Sequence, residues 1–332
     1  MSSHRTAHWL FWLVGGALLA TVVVATLHFS EARDFVQLAE QSEPSWLLLA
    51  VLFQAATYLA QGEVLRCVGR AGRFPLRVST VYKLSLAKLF VEQALPSAGL
   101  SGTFMLSNFL EQGGMPRVLV ATAVVIDLTS YYVAYVLSLT AALIFAAVHG
   151  EASRSILVMS AVFALYAVAL SAAILTLSGR GVPPWMLRVA HFRPFRSALR
   201  FLENADRGLA RDSRLLIETA AFQLAIFLCD AGTVWVLLKS LGVSVSTTNV
   251  FTSFMISTLF RSVGILPGGL GSFEAASILT LKMAGVPVAA GLSATLLFRG
   301  LSFWIPMLPG LWYARRLMAQ RASENDDAHR KS

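Results

Sequence analysis

One broken apolar segment occurs twice in this chain. Apolar residues continue on both sides of a proline in each copy, and glycine and serine are frequent around the break. Four pairs of matching residues recur at a spacing of 171 positions: Pro96 and Pro267, Ser101 and Ser272, Gly114 and Gly285, and Pro116 and Pro287. Paired, glycine- and proline-interrupted segments in two halves of a membrane protein indicate a substrate site between two internal repeats.

The composition supports a membrane protein. Of the 332 residues, 56% are hydrophobic and only 14% are charged, whereas soluble domains carry about 25% charged residues. The formal net charge of +9 does not require a nucleic-acid partner, because the basic residues fall in loops and are explained by membrane topology.

Eight apolar segments are predicted, and the third and seventh contain the breaks. They cover 9–29, 46–66, 80–110, 118–148, 155–177, 215–239, 248–283 and 288–315. Broken backbone at membrane depth must be buried in protein or line a wet cavity. We therefore predict two re-entrant hairpins, the alternative being two short spanning helices in each segment. The predicted fold class is an all-α polytopic membrane protein with about six spanning helices and two re-entrant broken-helix hairpins.

The predicted domain organisation is a single transmembrane domain over 1–319 followed by a disordered cytoplasmic tail at 320–332. Repeat one covers about 46–148 and repeat two about 215–315. Three predicted crossings separate the two hairpins, and this odd number gives the repeats inverted orientations.

Loop charges predict that the N- and C-termini are both cytoplasmic, and the location that we expect is a bacterial inner membrane. The 31–45 loop has four acids and one arginine, whereas the 66–83 stretch has five basic residues and no acid. The 178–214 loop has eight arginines against three acids, as the positive-inside rule requires of a cytoplasmic loop. This loop is either an interfacial amphipathic helix or a plain basic loop.

The leading candidate site residues are Glu274 and Arg299. Glu274 follows the turn of the second break, and Arg299 lies in the middle of the last apolar segment. Charges inside a membrane are costly, so each is a functional candidate. The pair either binds a zwitterionic or anionic head group, with Arg299 on its phosphate, or forms a buried salt bridge.

The turn of the second break is the next candidate. Its backbone N–H groups could bind an anion at the start of a helix, or its glycines could serve a tight turn and close packing. The predicted substrate-binding residues also include a charge before this break and residues of the first repeat. The full set beyond Glu274 and Arg299 is Arg261, Pro267, Gly268, Gly269, Gly271, Ser272, Pro96, Ser101 and Asp127.

Asp127 has two interpretations: a charge partner or proton-sensitive group, or the acceptor of a helix-packing hydrogen bond. Glu63, Lys88 and Lys282 are expected near segment ends, where side chains reach the interface. Gln54, Tyr58 and Gln61 share one helix face and are predicted to pack against the bundle interior.

The sequence does not favour an enzyme. No nucleophile motif and no paired metal-ligand spacing occurs among the six histidines and two cysteines. We predict no catalytic residue, no metal, no cofactor and no nucleic-acid partner.

Residues of the second repeat resemble a known family. Leu-Pro-Gly-Gly-Leu-Gly-Ser-Phe-Glu at 266–274, Gly-Val-Pro at 285–287, Leu-Phe-Arg at 297–299, Pro306 and Gly310 look like the membrane region of lysylphosphatidylglycerol synthases. The same region occurs as stand-alone flippase-like proteins, some associated with hopanoid biosynthesis. The resemblance implies a lipid-translocating bundle with two re-entrant hairpins. In bifunctional members this region is assigned to moving an aminoacylated phospholipid outward.

Two departures from the family shape the functional prediction. The soluble aminoacyl-transfer domain has no counterpart in this sequence, and Ser101-Gly102-Thr103 stands where many members have Gly-Gly-acid. The missing carboxylate weighs most against specificity for an aminoacyl lipid. We predict a flippase-like protein that moves a polar or anionic lipid between leaflets. The alternative is a non-transporting membrane subunit that binds a lipid- or envelope-modifying enzyme.

Overall fold

The computed structural model describes residues 44–94, 100–148, 154–177, 201–263 and 267–316. In these ranges every regular element is a helix. The predicted first apolar segment, Pro96, most of the 178–214 loop and the predicted tail lie outside the described residues.

Ten helices form the described part of the bundle. Two of them, α5 and α6, stand between a first series, α1 to α4, and a second series, α7 to α10. In chain order the bounds are α1 Pro44–Ala71, α2 Val78–Ala94, α3 Leu100–Gln112, α4 Arg117–Val148, α5 Arg154–Leu177, α6 Arg207–Ala210, α7 Ser213–Ser240, α8 Thr247–Val263, α9 Ser272–Met283 and α10 Val288–Arg316.

Four of these helices, α1, α4, α7 and α10, are long and apolar enough to cross a membrane. Helix α5 contributes a shorter apolar stretch, Ala161–Thr176. The prediction of an all-helical, multi-pass membrane protein is confirmed at this level, with four long spans and additional shorter helices.

The two series contain helices of matching order and length. Helices α1 to α4 have 28, 17, 13 and 32 residues, and α7 to α10 have 28, 17, 12 and 29. Helices α1 and α7 begin 169 positions apart, as do α2 and α8, whereas α4 and α10 begin 171 positions apart. The second break is therefore two residues longer, and the register before the breaks pairs Gln54 with Gln223 and Glu92 with Arg261.

Glycine ends the third helix of each series. Gly114 and Gly285 follow α3 and α9 with φ of +83° and +84°, a left-handed conformation that stops a helix at little cost only in glycine. The same turn therefore leads into α4 and into α10.

Helix α1 packs along α7 in the centre of the bundle. At one end, aromatic rings from α4, α7, α8, α9 and α10 form the largest core cluster, which includes Tyr135, Phe227, Phe254, Phe273 and Phe298. A second cluster joins Leu76, Met115, Phe201 and Leu216 at the other end. We call that second end, formed by residues 72–77, 113–116 and 201–212, the basic end.

The described part of the predicted amphipathic segment packs on protein. Residues 201–203 are helical, and Asp206 caps the short helix α6 by accepting hydrogen bonds from Gly208 and Leu209. Phe201 and Leu209 join the cluster at the basic end. These apolar side chains therefore cover α4 and its neighbours instead of facing lipid.

Helix α10 contains one π-helical turn, Gly300–Trp304, directly after Arg299. The N–H of Ile305 donates to the carbonyl of Gly300. The Tyr58 hydroxyl of α1 donates to the Ser302 carbonyl at 3.0 Å. Single π-helical turns are rare in proteins, and those that occur are often found at functional sites.

Candidate functional site

The glycine turn of the second break allows an unusually close approach of backbone to side chains. Gly268 and Gly269 have φ of +63° and +65°. A Cβ on Gly269 would lie 2.4 Å from Cγ of Arg261, and one on Gly268 would lie 2.5 Å from the Phe303 ring. Both contacts are shorter than van der Waals distance, so this geometry supports the packing interpretation of these glycines.

The start of α9 is already capped by the chain itself. The Gly271 N–H donates to Oε2 of Glu274 at 2.7 Å, and the Ser272 hydroxyl donates to the Gly269 carbonyl at 3.0 Å. The carboxylate of Glu274 thus occupies the helix N-terminus, where the sequence suggested an external anion.

Arg299 is buried and multiply bound. Its Nε donates to Oε1 of Glu274 at 2.5 Å, and its Nη2 donates to the Gly268 carbonyl at 2.8 Å. The guanidinium carbon lies 5.0 Å from the Phe273 ring centroid and 5.1 Å from that of Phe303. This geometry fits the salt-bridge alternative, because α10, α9 and the turn are joined through one side chain.

Arg261 lies beside this pair in the last turn of α8. Among the described residues, its guanidinium has no hydrogen-bond or ion-pair partner, although Gly269 packs against its stem. It is close enough to Glu92, Asp230 and Arg299 to act on them electrostatically. Arg261 is therefore the interior cation most available to an anionic ligand in the part of the chain described.

The first broken segment has its own charge cluster. Nζ of Lys88 lies 2.7 Å from Oδ2 of Asp127 and 3.8 Å from Oε1 of Glu92. Gln61 and Gln223 donate to Oδ1 of Asp127 at 3.2 and 2.9 Å. The expectation that Lys88 reaches the interface is wrong, because its ammonium group turns inward to a carboxylate.

A small cavity of about 20 Å³ adjoins this cluster and is lined by Gln61, Lys88, Thr103 and Asp127 among others. That volume has room for about one water molecule. The cluster is therefore close-packed, and a head group could reach it only after the surrounding helices separate.

A glycine also lies against the last turn of α2. A Cβ on Gly102 would lie 2.3 Å from Cγ of Glu92, as one on Gly269 would approach Arg261. Glu92 and Arg261 are equivalent in the helix register. Each break thus presses a glycine against an ionisable side chain, acidic in the first series and basic in the second.

Two equivalent glutamines link the series. Gln54 of α1 donates to Oδ1 of Asp230 in α7 at 3.0 Å, and Thr57 donates to the same oxygen at 3.0 Å. Gln223 of α7 donates to Asp127 of α4. Each amide therefore binds a carboxylate of the other series, and the two bonds are related by the repeat.

The structure brings together most of the predicted site residues of the second series. Glu274, Arg299 and Gly268 are in direct contact, and Arg261 and Gly269 are adjacent to them. Pro267 begins the glycine turn, and Ser101 lies in the first turn of α3. Asp127 binds Lys88 and two amides instead.

The predicted set of substrate-binding residues did not include four members of these clusters, although Lys88 and Glu92 count as intramembrane charges in the sequence: Lys88, Glu92, Gln54 and Gln223. An offset of 169 residues before the breaks would have paired Gln54 with Gln223 and Glu92 with Arg261. Applying the single offset of 171 to the whole chain hides both pairs. Within the described ranges, no group of three histidine, cysteine or carboxylate side chains converges as a metal site would require.

Comparisons with known proteins agree with this architecture. The lysylphosphatidylglycerol synthase transmembrane region matches residues 12–310. A UPF0104 membrane protein of Methanothermobacter thermautotrophicus is 26% identical over 34% of this chain and 33% of its own length. Another UPF0104 membrane protein, from Pyrococcus horikoshii, is 30% identical over 31% of this chain and 30% of its own.

A phosphatidylglycerol lysyltransferase of Staphylococcus haemolyticus is 35% identical over 21% of this chain but only 8% of its own length. The alignments thus span about a third or less of these relatives. The family match, in contrast, covers most of the chain and includes both breaks and both charge clusters. The chain belongs to the lysylphosphatidylglycerol synthase transmembrane-region family.

Proposed function

We propose that this protein moves a polar lipid between the leaflets of a membrane, with the phosphate of the head group bound by Arg261 between the two broken segments. The observation that carries the proposal is a cation inside the apolar bundle without a protein partner among the described residues. An ionisable group at that depth is costly and is retained mainly for function. A planar guanidinium binds phosphate in two-point contacts.

Arg299 has a different role in this proposal. Its guanidinium is occupied by Glu274, the Gly268 carbonyl and two aromatic rings. It fixes the glycine turn that presses on Arg261. The sequence hypothesis that Arg299 holds the phosphate is thereby transferred to its neighbour, Arg261, and Arg299 becomes a positioning residue.

Carboxylates near Arg261 narrow the class of head group. Glu92 of α2 and Asp230 of α7 both lie close enough to interact with it electrostatically. A head group that carries a phosphate and a positively charged or hydroxyl-bearing group would satisfy charges of both signs. We therefore propose a zwitterionic or polar phospholipid as cargo.

The membrane arrangement follows from the same proposal. We place both broken segments as re-entrant hairpins and the two series in inverted orientation, with the basic end in the cytoplasm. Exposed arginines at that end, such as Arg73, Arg77 and Arg117, support the orientation. The breaks then meet near the midplane, where a head group is exchanged between the two sides.

The family supports a lipid substrate. One relative is by name a phosphatidylglycerol lysyltransferase, and the matched region is the transmembrane region of that enzyme family. We propose a non-enzymatic role for the described bundle, whose interior charges form pairs suited to binding and positioning.

The test is lipid translocation in proteoliposomes that contain a fluorescent phospholipid. Wild-type protein should accelerate the loss of leaflet asymmetry over protein-free vesicles, and Arg261→Gln should reduce this protein-dependent rate by at least about tenfold. Because Arg261 has no hydrogen-bond or ion-pair partner among the described residues, the unfolding temperature of the Arg261→Gln variant should remain close to that of wild type. The matched control is Arg117→Gln, which removes an exposed charge.

Two results would contradict the proposal. An unchanged rate in Arg261→Gln removes the assigned role of this residue. Wild-type vesicles that exchange lipid no faster than empty ones exclude translocation under these conditions, and stable co-purification with a lipid-modifying enzyme would then favour the membrane-subunit alternative.

A further inference from the structure

A second, larger pocket opens at the basic end of the bundle. Its volume is about 510 Å³, within the range of about 300–1,000 Å³ typical of small-molecule sites. The beginning of α2, the end of α3 and the end of α10 enclose it. Neither Arg261 nor Arg299 lines it, so it is separate from the interior charges.

Aromatic rings and two basic side chains form the wall of this pocket. The aromatic residues are Phe74, Phe109, Trp312 and Tyr313, and the basic residues are Lys83 and Arg316. The lining includes no aspartate or glutamate. The pocket therefore combines apolar surface with positive charge that no carboxylate among its described lining residues compensates.

Both cations are held over aromatic faces. Cζ of Arg316 lies 3.9 Å from the Trp312 ring centroid, and Nζ of Lys83 lies 5.8 Å from the Tyr313 ring centroid. Within the described part of the chain, neither cation forms an ion pair with a carboxylate. Ring contacts orient the cations but leave their N–H donors free for an anion.

The location points to the membrane interface. Trp312 and Arg316 lie in the last turns of an apolar spanning helix, and Lys83 lies near the start of α2. Tryptophan, tyrosine and basic residues are common at this depth for general reasons. Those reasons do not account for basic side chains from two separate helices lining one open pocket.

We propose that this pocket binds an anionic glycerophospholipid, with Lys83 and Arg316 contacting the phosphate and the aromatic rings contacting the glycerol and the first acyl carbons. A free phosphate ester shares the charge but cannot use the apolar wall. This proposal does not depend on translocation, because a lipid bound in this pocket would also serve as a structural component of a protein that transports nothing.

The test is retention of lipid by the detergent-purified full chain. The protein is exchanged into mixed micelles that contain equal amounts of phosphatidylglycerol and phosphatidylcholine, and the bound lipids are quantified by mass spectrometry. Wild type should retain phosphatidylglycerol in preference. The double variant Lys83→Gln/Arg316→Gln should lower that preference by at least about tenfold, since two charge-assisted contacts are lost.

A matched control removes two charges from the opposite end. Lys239→Gln/Lys282→Gln changes the net charge equally, and Lys239 also lies over a ring, 5.6 Å from the Trp235 centroid. This control should retain lipid as wild type does. An equal loss in both double variants, or no preference for phosphatidylglycerol in wild type, would overturn the proposal.

A third arm separates a lipid from a soluble phosphate ester. Glycerol 3-phosphate at millimolar concentration should leave the retained phosphatidylglycerol unchanged, because it lacks acyl chains. Displacement of the lipid by glycerol 3-phosphate would refute the lipid assignment. The assay contains no bilayer, so its failure is distinguishable from a failure of translocation.

Discussion

The two broken segments, α2 with α3 and α8 with α9, share a scaffold but carry their charges differently. In the second, the ion pair of Arg299 and Glu274 closes within its own series, with Gly268 as a third partner. In the first, Lys88 pairs with Asp127, and that carboxylate also accepts a hydrogen bond from Gln223 of the other series.

The first arrangement is an ion pair within one series, and the second includes a hydrogen bond between the two series. The Arg299 contacts are preserved if the two series move as rigid bodies, because all the partners lie in one series. The hydrogen bond from Gln223 to Asp127 would break in the same motion, as would the bond from Gln54 to Asp230. Relative movement of the halves is therefore resisted by amides, while each broken segment keeps its shape.

The largest expected effect on stability comes from removing the ion pair of Arg299 and Glu274. Arg299→Met leaves the half-buried Glu274 without its cation and the Gly268 carbonyl without its donor, so we expect a loss of about 4 kcal/mol in unfolding free energy. The measurement is denaturation in mixed micelles. The double variant Arg299→Met/Glu274→Leu should recover at least half of the loss, and equal stability of the single and double variants would refute the ion pair as the cause.

A smaller loss is expected in the first broken segment. Lys88→Met removes the cation from Asp127, but two amide donors remain on that carboxylate, so about 2 kcal/mol is expected in the same denaturation assay. Lys88→Met/Asp127→Asn supplies the control, because a neutral amide needs no cation. A loss as large as that of Arg299→Met would show that the bound amides do not compensate.

The smallest effect on stability is expected from the two glutamines that donate to Asp127, one from each series. Gln223→Leu and Gln61→Leu each remove one neutral donor from the same Asp127 oxygen, for about 1 kcal/mol each. Gln61 lies in the same series as Asp127, whereas Gln223 lies in the other. We expect only Gln223→Leu to change the translocation rate in proteoliposomes, and equal rates in the two variants would contradict a role of this bond in coupling the halves.

Much of the architecture could be predicted from the sequence. Long apolar segments and interrupting Gly-Pro turns are local signals, and they placed α1, α4, α7 and α10 within a few residues of their observed bounds. The ion pair of Glu274 and Arg299 was one of two alternatives for these residues, because a residue at the turn and a residue in the middle of an apolar segment could both lie near the midplane.

The first charge cluster was harder to predict. Lys88 has no sequence neighbour that identifies Asp127 as its partner, and the two are 39 positions apart. Gln54 and Gln223 look like ordinary packing residues of apolar helices. Their roles depend on how α1 lies along α7, a tertiary arrangement that neither periodicity nor composition specifies.

The π-helical turn at Gly300–Trp304 holds one residue more than the α-helical turn that it replaces. Deleting one residue there would restore uninterrupted α geometry and leave Trp312 and Arg316 on their present side of the helix. An added residue between this turn and Trp312 would instead rotate both side chains by about 100°, out of the pocket wall, while Arg299 would keep its partners. The wide turn is therefore the position in α10 where a one-residue deletion should disturb the end of the helix least.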